Sequence, residues 1–326
     1  MISLIATVLN ESDNIRHLFD SIMRQTRPPD EVVIVDGGSR DDTVSIIRAY
    51  QEKLPLRLLV EPGCNISEGR NRAINAAAGS IIAVTDAGVR LSDDWLEKIT
   101  DPLLANPQLN VVGGFFRADP QTSFEIALGA TTLPLEAEID AETFLPSSRS
   151  IAFRKAAAEE IGLYPEWLDF CEDLIFDLRL RQAAGPFAFA PAALVYFRPR
   201  TTLRKYFRQY FLYARGDGKA NLWLKRHLIR YLTYFLLLPA IIVAGASVHP
   251  LFWAFIVLGG AIYLRSAYLR LPTIIRRAGG ESIGLWFYCI VMIPWLRFLG
   301  DLAKMIGYPP GWLWRLKHRP PSWRAE

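Results

Sequence analysis

Residues 31–43 read EVVIVDGGSRDDT, and the way this stretch divides decides the fold. Its first half, Val32-Val33-Ile34-Val35, is a short unbroken β-branched run, the composition of a strand buried on both faces of a parallel sheet. Asp36 ends the run at the strand's carboxyl end, where open α/β sheets bind ligands. Gly37 and Gly38 let the backbone turn tightly beside whatever binds, and Asp41 and Asp42 suit the cap of a following helix. The competing reading is an ordinary strand-to-helix turn with a solvated Asp.

Working outward, the same alternation recurs. Ile2 to Val8 reads as a first strand, followed by a helix capped by Asn10 or Ser12 with Ile15, Leu18, Phe19, Ile22 and Met23 on one face. A helix through Val44, Ile47 and Tyr50 follows the second strand, and Leu56 to Val60 is the third. Ser67 to Ala78 reads as a helix ending at Gly79, and Ser80 to Thr85 as a fourth strand stopping at Asp86. Ser92, Asp93 and Asp94 suit the cap of another helix, and a fifth strand begins at Val111-Val112. Strands alternating with helices in this way predict an α/β fold with a mostly parallel sheet and ligands at the carboxyl ends of its strands. No strand is followed by the Gly-x-Gly-x-x-Gly fingerprint, which disfavours a dehydrogenase.

Composition divides the 326 residues between two solvents. Tyr231 to Leu264 is 34 consecutive residues without Asp, Glu, Lys or Arg, which a water-soluble chain rarely carries. The formal charge of +4 is concentrated just before it: from Arg198 to Arg230 there are ten Lys and Arg against the single acid Asp217. Beside an apolar run, such a stretch reads as a membrane-surface anchor rather than a nucleic-acid patch. Cys64, Cys171 and Cys289 are scattered, odd in number and without metal-type spacing, so a reducing compartment is expected. Met1 to Asn10 lacks a basic n-region, so no signal peptide is expected.

Five stretches in order carry a resemblance: TVLNE (7–11), VDGGSRDDT (35–43), SEGRNRAINAAAG (67–79), TDAG (85–88) and CEDLIFDLRLRQAAG (171–185). Together they resemble the GT-A, Rossmann-like family of inverting glycosyltransferases called family 2, over about residues 1–220. The resemblance implies that Asp36 and the turn Thr7 to Glu11, with Asn10, line a nucleotide crevice, where a carboxylate accepts from a base N–H or a ribose hydroxyl. Arg70 is a fixed cation suited to phosphate or nucleobase. Asp86 matches the first acid of the family's DXD signature, through which a divalent cation, Mg²⁺ or Mn²⁺, and the sugar nucleotide are held. Here the chain departs from the pattern, because the third position is Gly88 and the stretch Val195-Tyr196-Phe197-Arg198 lacks the family's His. One Asp with diphosphate and water makes a sparse shell for a hard cation, and Arg198, Arg200 or Arg204 could offset the leaving charge instead. Glu172-Asp173 matches the family's ED pair, which makes Asp173 the general base; the alternative is that the acids merely cap a helix. Ser147 to Lys155 resembles the loop and strand on the acceptor side, where Trp167 and Phe170 could form an apolar or sugar-stacking wall; the alternative is that the two aromatics simply pack in the core.

From Arg198 onward, Leu203, Phe207, Tyr210, Phe211 and Ala214 fall on one helical side and Arg204, Lys205 and Arg208 on another, the pattern of an interface helix. Pro239 and Val248-His249-Pro250 break the uncharged run into a hairpin of Tyr231–Val248 and Leu251–Leu264, basic at both ends, which places the catalytic domain in the cytoplasm. A third apolar segment, Gly284 to Gly300, is followed by Lys304, Arg315, Lys317, Arg319 and Arg324. The charge rule favours an interfacial or re-entrant course for it over a span. The expected organisation is a catalytic domain at 1–220, a transmembrane hairpin at 231–264 and a third segment with a basic tail at 265–326. The expected protein is an enzyme of the bacterial surface-polysaccharide type in the cytoplasmic membrane. It would move a hexosyl group from a nucleotide-diphosphate sugar to a lipid-linked acceptor, with the hairpin also able to serve self-association and no nucleic acid involved. A nucleotide-sugar-binding membrane scaffold without turnover is the alternative. A nucleotidyltransferase would want a Gly-rich, Arg-containing loop where Thr7 to Glu11 stands.

Overall fold

The fold is built outward from Ile2–Val8 (β1), which a computed structural model covering residues 1–280 and 282–323 places at the centre of a parallel ladder. β1 pairs in parallel with Glu31–Asp36 (β2) on one side and Ile81–Val84 (β4) on the other, and Leu56–Val60 (β3) lies outside β2. Three helices make the crossovers that parallel neighbours require: α1 (Ile15–Met23), α2 (Thr43–Tyr50) and α3 (Ile66–Ala76). Period-two alternation splits the apolar residues between the two faces. Leu4, Ala6, Val32 and Ile34 pack on one core, Ile5, Val33 and Val35 on the other, and all seven are fully buried.

Beyond β4 the pairing changes sense. The chain continues through Val89–Leu91 (β5), α4 (Trp95–Ala105) and Val111–Ala118 (β6), then α5 (Ser123–Thr132), Ile151–Arg154 (β7), α6 (Lys155–Glu160), α7 (Glu172–Ala184) and Ala188–Phe197 (β8). The eight strands lie in the order β3-β2-β1-β4-β7-β6-β8-β5, with β7 antiparallel to both β4 and β6 and β5 antiparallel to β8. The sheet is therefore mixed: parallel where strand and helix alternate regularly, antiparallel where they do not. The short β5 lies between Asp86 and Ser92, where no strand was expected.

Helix starts follow different rules from those expected. Asn14 precedes α1 without a side-chain cap, while Asn10 takes a left-handed φ of 55° and accepts from the Arg40 amide at 2.9 Å. Asp42 and Asp94 precede α2 and α4 without capping bonds. Asp41 accepts from the Thr43 hydroxyl and from the Thr43 and Ser12 amides, at 3.1 and 3.2 Å, and these bonds, the hydroxyl first, bring its carboxyl down to about 2. Residues that look like caps thus serve to lock the loops after β1 and β2 to one another. Only α3, of these four, has the full reciprocal cap, between Asn65 and Glu68.

The chain forms two compact units, one holding Met1–Arg117 and Leu135–Arg198, the other Ala118–Pro134 and Pro199–Pro320. The second unit is helical: α5, α8 (Leu203–Ala220), α9 (Leu224–Leu232), α10 (Leu238–Ser247), α11 (Trp253–Arg277) and α12 (Ile283–His318). In α8 the buried aromatic is Tyr206, not Leu203, which is exposed. A π turn joins α9 to α10, so Leu224–Ser247 runs as one 24-residue arm against Pro250–Arg277. Trp253 Nε1 donates to the Ile242 carbonyl at 3.3 Å across the tip. At the base, Asp301 of α12 accepts from Arg230 at 2.7 Å and from the hydroxyls of Tyr234 and Tyr263. The rest of α12 lies along α8, with Gly307 and Gly311 against the Phe211 and Arg215 carbonyls, and along α5 through Cys289 and Ile293. Three helices, Leu224–Ser247, Pro250–Arg277 and Ile283–His318, are long and apolar enough to cross a membrane, which makes this a membrane protein. Arg324 of the basic tail lies outside the described residues.

Candidate active site

The loops at the carboxyl ends of β1, β2 and β4 carry the residues singled out in the sequence. Register sets Val8 beside Asp36, so both strands end level. Asp36 is fully buried. Its Oδ1 accepts from the Gly38 and Ser39 amides at 2.9 and 2.8 Å, and its buried Oδ2 has no partner. A buried carboxylate oxygen left without a donor costs roughly 1–3 kcal/mol or more, which a ligand N–H or O–H would recover. Gly38 adopts a φ of 95°, and a side chain there would strike Pro62, so glycine is required at this turn. Asn10 donates its amide to Ser39, and Glu11 its amide to Thr43, both at 2.8 Å. Thr7 packs its methyl group against Gly69 of α3, where a side chain would collide with it.

Arg70, on the next residue of α3, is the hinge of the site. Its guanidinium is buried, donating to Glu172 at 2.6 Å and to Asp86 at 3.1 Å, with the Tyr164 ring 5.2 Å from Cζ. One side chain therefore joins residues 16 and 102 positions further along the chain. Glu172 opens α7 after Cys171, which is left-handed and makes no side-chain cap, and Asp173 Oδ1 accepts from the Leu174 amide of the helix's first turn at 2.8 Å. Burial and the neighbouring Asp173 push the Glu172 carboxyl up, and Arg70 draws it back down. Asp173 is half-buried, with the Ser147 hydroxyl 3.5 Å from Oδ2.

Three further residues belong here that the sequence reading passed over. β7 pairs antiparallel with β4, Val84 opposite Ile151, and extending that register sets Asp86 opposite Arg149. Arg149 Nε lies 3.4 Å from Asp86 Oδ2, and its guanidinium stands over the Phe197 and Phe116 rings at 4.3 and 5.2 Å. Its own carbonyl accepts from Thr85 at 3.1 Å. Asp177, one turn after Asp173, is buried with neither carboxylate oxygen hydrogen-bonded, and burial first, then Asp173, raise its pKa well above the ordinary value. Tyr164 stacks on Phe176 at 3.9 Å and shares a 2.9 Å hydrogen bond with Ser148. Arg149 was hidden because its partner depends on an antiparallel pairing; Asp177 could have been found from its i, i+4 spacing to Asp173.

The expected cation at Asp86 does not fit this donor set. Both carboxylate oxygens face guanidinium groups, Gly88 offers no ligand, and among the described residues no three His, Cys, Asp or Glu gather as a metal group. A hard dication needs several oxygens at one point, and here a guanidinium already stands against each oxygen of Asp86.

Comparison with known proteins gives the arrangement its family. Residues 3–161 match the family model described as "Glycosyl transferase family 2". These residues are a glycosyl transferase family 2 domain. The protein is accordingly a glycosyltransferase. It is 26% identical over 233 residues to glycosyltransferase AglE of Haloferax volcanii, covering 68% of this chain and 74% of the relative. It is 24% identical to the O-antigen chain rhamnosyltransferase RfbN of Salmonella typhimurium, over 64% of this chain and 70% of that one. The mannosyltransferase PcManGT of Pyrobaculum calidifontis, solved with GDP-Man and Mn²⁺, superposes with a TM-score of 0.56 at 18% identity, covering 98% of this chain and 88% of that one. S. aureus TarS with UDP-GlcNAc gives 0.53 at 16%, covering 97% and 91%. These likenesses establish the glycosyltransferase's GT-A-like fold.

Proposed function

We propose that this glycosyltransferase moves a sugar from a nucleotide-diphosphate donor to a lipid-linked acceptor at the cytoplasmic face of the cytoplasmic membrane, with inversion. The observation that carries the reading is the Glu172–Arg70–Asp86 bridge, which gathers the acids of two distant motifs beside a half-buried, accessible Asp173. Asp36, with its free Oδ2, takes the nucleoside, and the Thr7–Glu11 turn walls the same crevice. Arg70 fixes Glu172, which in turn sets the first turn of α7 so that Asp173 meets the acceptor hydroxyl. Asp173 removes the acceptor proton as the hydroxyl oxygen attacks the anomeric carbon. The bond to the diphosphate breaks on the opposite face, and the electron pair leaves with the nucleoside diphosphate. No step is assigned to a metal ion.

The lipid-linked acceptor is supported by the membrane helices and by likeness to a transferase named for O-antigen chains. The orientation is supported by basic residues at the hairpin base, Arg226, Arg230, Arg265 and Arg270, with none at its tip. The hairpin arms, at 24 and 28 residues, are about 36 and 42 Å long at 1.5 Å per residue, enough to span. α12 runs in the interface on this reading. Its second half lies beside α8, which carries Arg204, Lys205, Arg208 and Asp217, and its uncharged stretch is only about 20 Å long. No nucleic acid enters this reading. Gly88 favours one alternative, a scaffold that binds the donor without turnover.

The test uses membranes from cells expressing the chain, supplied with a panel of labelled nucleotide sugars. Label entering the organic-extractable lipid from one donor, above membranes lacking the chain, is the expected result. Donor binding with no transfer to any acceptor would select the scaffold.

A further inference from the structure

At both places where the family resemblance leads one to expect a second metal ligand, the chain presents something else, and one of the two replacements lies against Arg149. Gly88 stands in the acid's place, although a Cβ there would meet nothing within 4 Å, so space does not force the glycine. The stretch Val195–Arg198 at the end of β8 holds no His, and its Phe197 ring backs the Arg149 guanidinium at 4.3 Å. Phe116 of β6 supports the same guanidinium from a second strand at 5.2 Å, and the Thr85 hydroxyl holds its backbone. Arg149 is thus built into the sheet, mostly buried at 15% side-chain exposure, and it faces the half-open Asp86 at 30%.

We propose that Arg149 is the phosphate-binding cation of this transferase, holding the donor's diphosphate in the position a divalent ion would occupy, so that donor binding and transfer need no metal. This rests on the donor reading given above. Asp86 acts as a positioning residue, aiming Arg149 through Nε and leaving the terminal nitrogens for the diphosphate oxygens, a planar fork that suits phosphate geometry. When the bond from the anomeric carbon to the diphosphate oxygen breaks, the electron pair settles on that oxygen. Arg149 stabilises the negative charge through hydrogen bonds already in place, and the acceptor proton resides on Asp173.

The experiment is calorimetric titration of the purified full-length chain with UDP and with GDP, in EDTA and in Mn²⁺, for wild type, Arg149→Ala, Arg149→Lys and Gly88→Asp, with thermal unfolding as the check on folding. The wild type is expected to bind its preferred nucleotide within about twofold equally in both conditions. Arg149→Ala is expected to lose tenfold or more in EDTA and Arg149→Lys less, both still unfolding cooperatively. Gly88→Asp restores an acid, and its binding is expected to become tighter in Mn²⁺ than in EDTA. A wild type that loses tenfold in EDTA and recovers in Mn²⁺ would overturn the metal-free assignment while leaving the donor reading intact. Equal binding by wild type and folded Arg149→Ala would remove Arg149 from the site. No binding of either nucleotide in any condition would overturn the donor reading along with this one.

Discussion

The sheet unit and the helical unit hide their apolar residues from water by different means. In the first, the central strands β1, β2 and β4 are buried on both faces, and the polar groups inside are bonded or aimed at the site. In the second, the windows of the two hairpin arms are only 6% buried, with Val257, Ile262 and Phe235 more than half exposed. Side chains of that kind are stable only against an apolar surround, which the hydrocarbon of a membrane supplies to helices of this length. Buried charge is handled alike in both: Arg70 between Glu172 and Asp86, Arg230 against Asp301.

The contrast can be broken first at Arg70. Arg70→Ala leaves Glu172 buried without its partner, and a cost of about 3–5 kcal/mol is expected in the sheet unit. Hydrogen exchange should rise in α3 and α7 and stay unchanged in α11. Because Glu172 titrates above the ordinary range, protonation relieves the unpaired charge, so the loss should be smaller at pH 5 than at pH 8. Equal losses at both would mean that Glu172 is not the group left stranded.

Next in size is a charge on the lipid-facing arm. Val257→Lys should cost about 2.5–3.5 kcal/mol of membrane insertion if this exposed position sits near the helix centre. The readout is the fraction retained in alkali-washed membranes, and an unchanged fraction would mean that protein, not lipid, covers the arm.

The smallest effect concerns Asp177. Its native pKa is raised, so between the ordinary carboxylate value and the native one the folded chain holds a proton that the unfolded chain has released. Wild-type stability from this group is present below the unfolded value and is lost as pH rises through the window. Asp177→Asn should therefore gain stability over wild type as pH climbs from about 4 to 8, by chemical denaturation at each pH. A constant difference would place the proton elsewhere.

The places of Asp36 and Asp86 in the fold were legible because β2 and β4 are apolar runs stopped by an acid at the strand's end or two residues beyond it. The parallel ladder followed from the same alternation. Arg149 and the antiparallel half were not legible, since a strand's direction depends on which distant strand it meets, and Ile151–Arg154 carries no local mark of that choice. The cap residues misled for a related reason. Asn10 has a helix-capping side chain but accepts from the neighbouring loop, at Arg40, while Asp41 divides its oxygens between the Thr43 amide at the start of α2 and the Ser12 amide of that loop. In the helical unit, composition revealed the apolar arms, whereas the passage of α12 along α8 depends on the notches at Gly307 and Gly311, which periodicity does not signal.

The account's central claim is that Asp173 takes the acceptor's proton. The most direct measurement is the rate of sugar transfer by wild type and Asp173→Asn at saturating donor, with nucleotide affinity measured on the same samples. A fall of about 10² to 10⁴ with unchanged nucleotide affinity is the predicted result. Transfer by Asp173→Asn at the wild-type rate would contradict the claim.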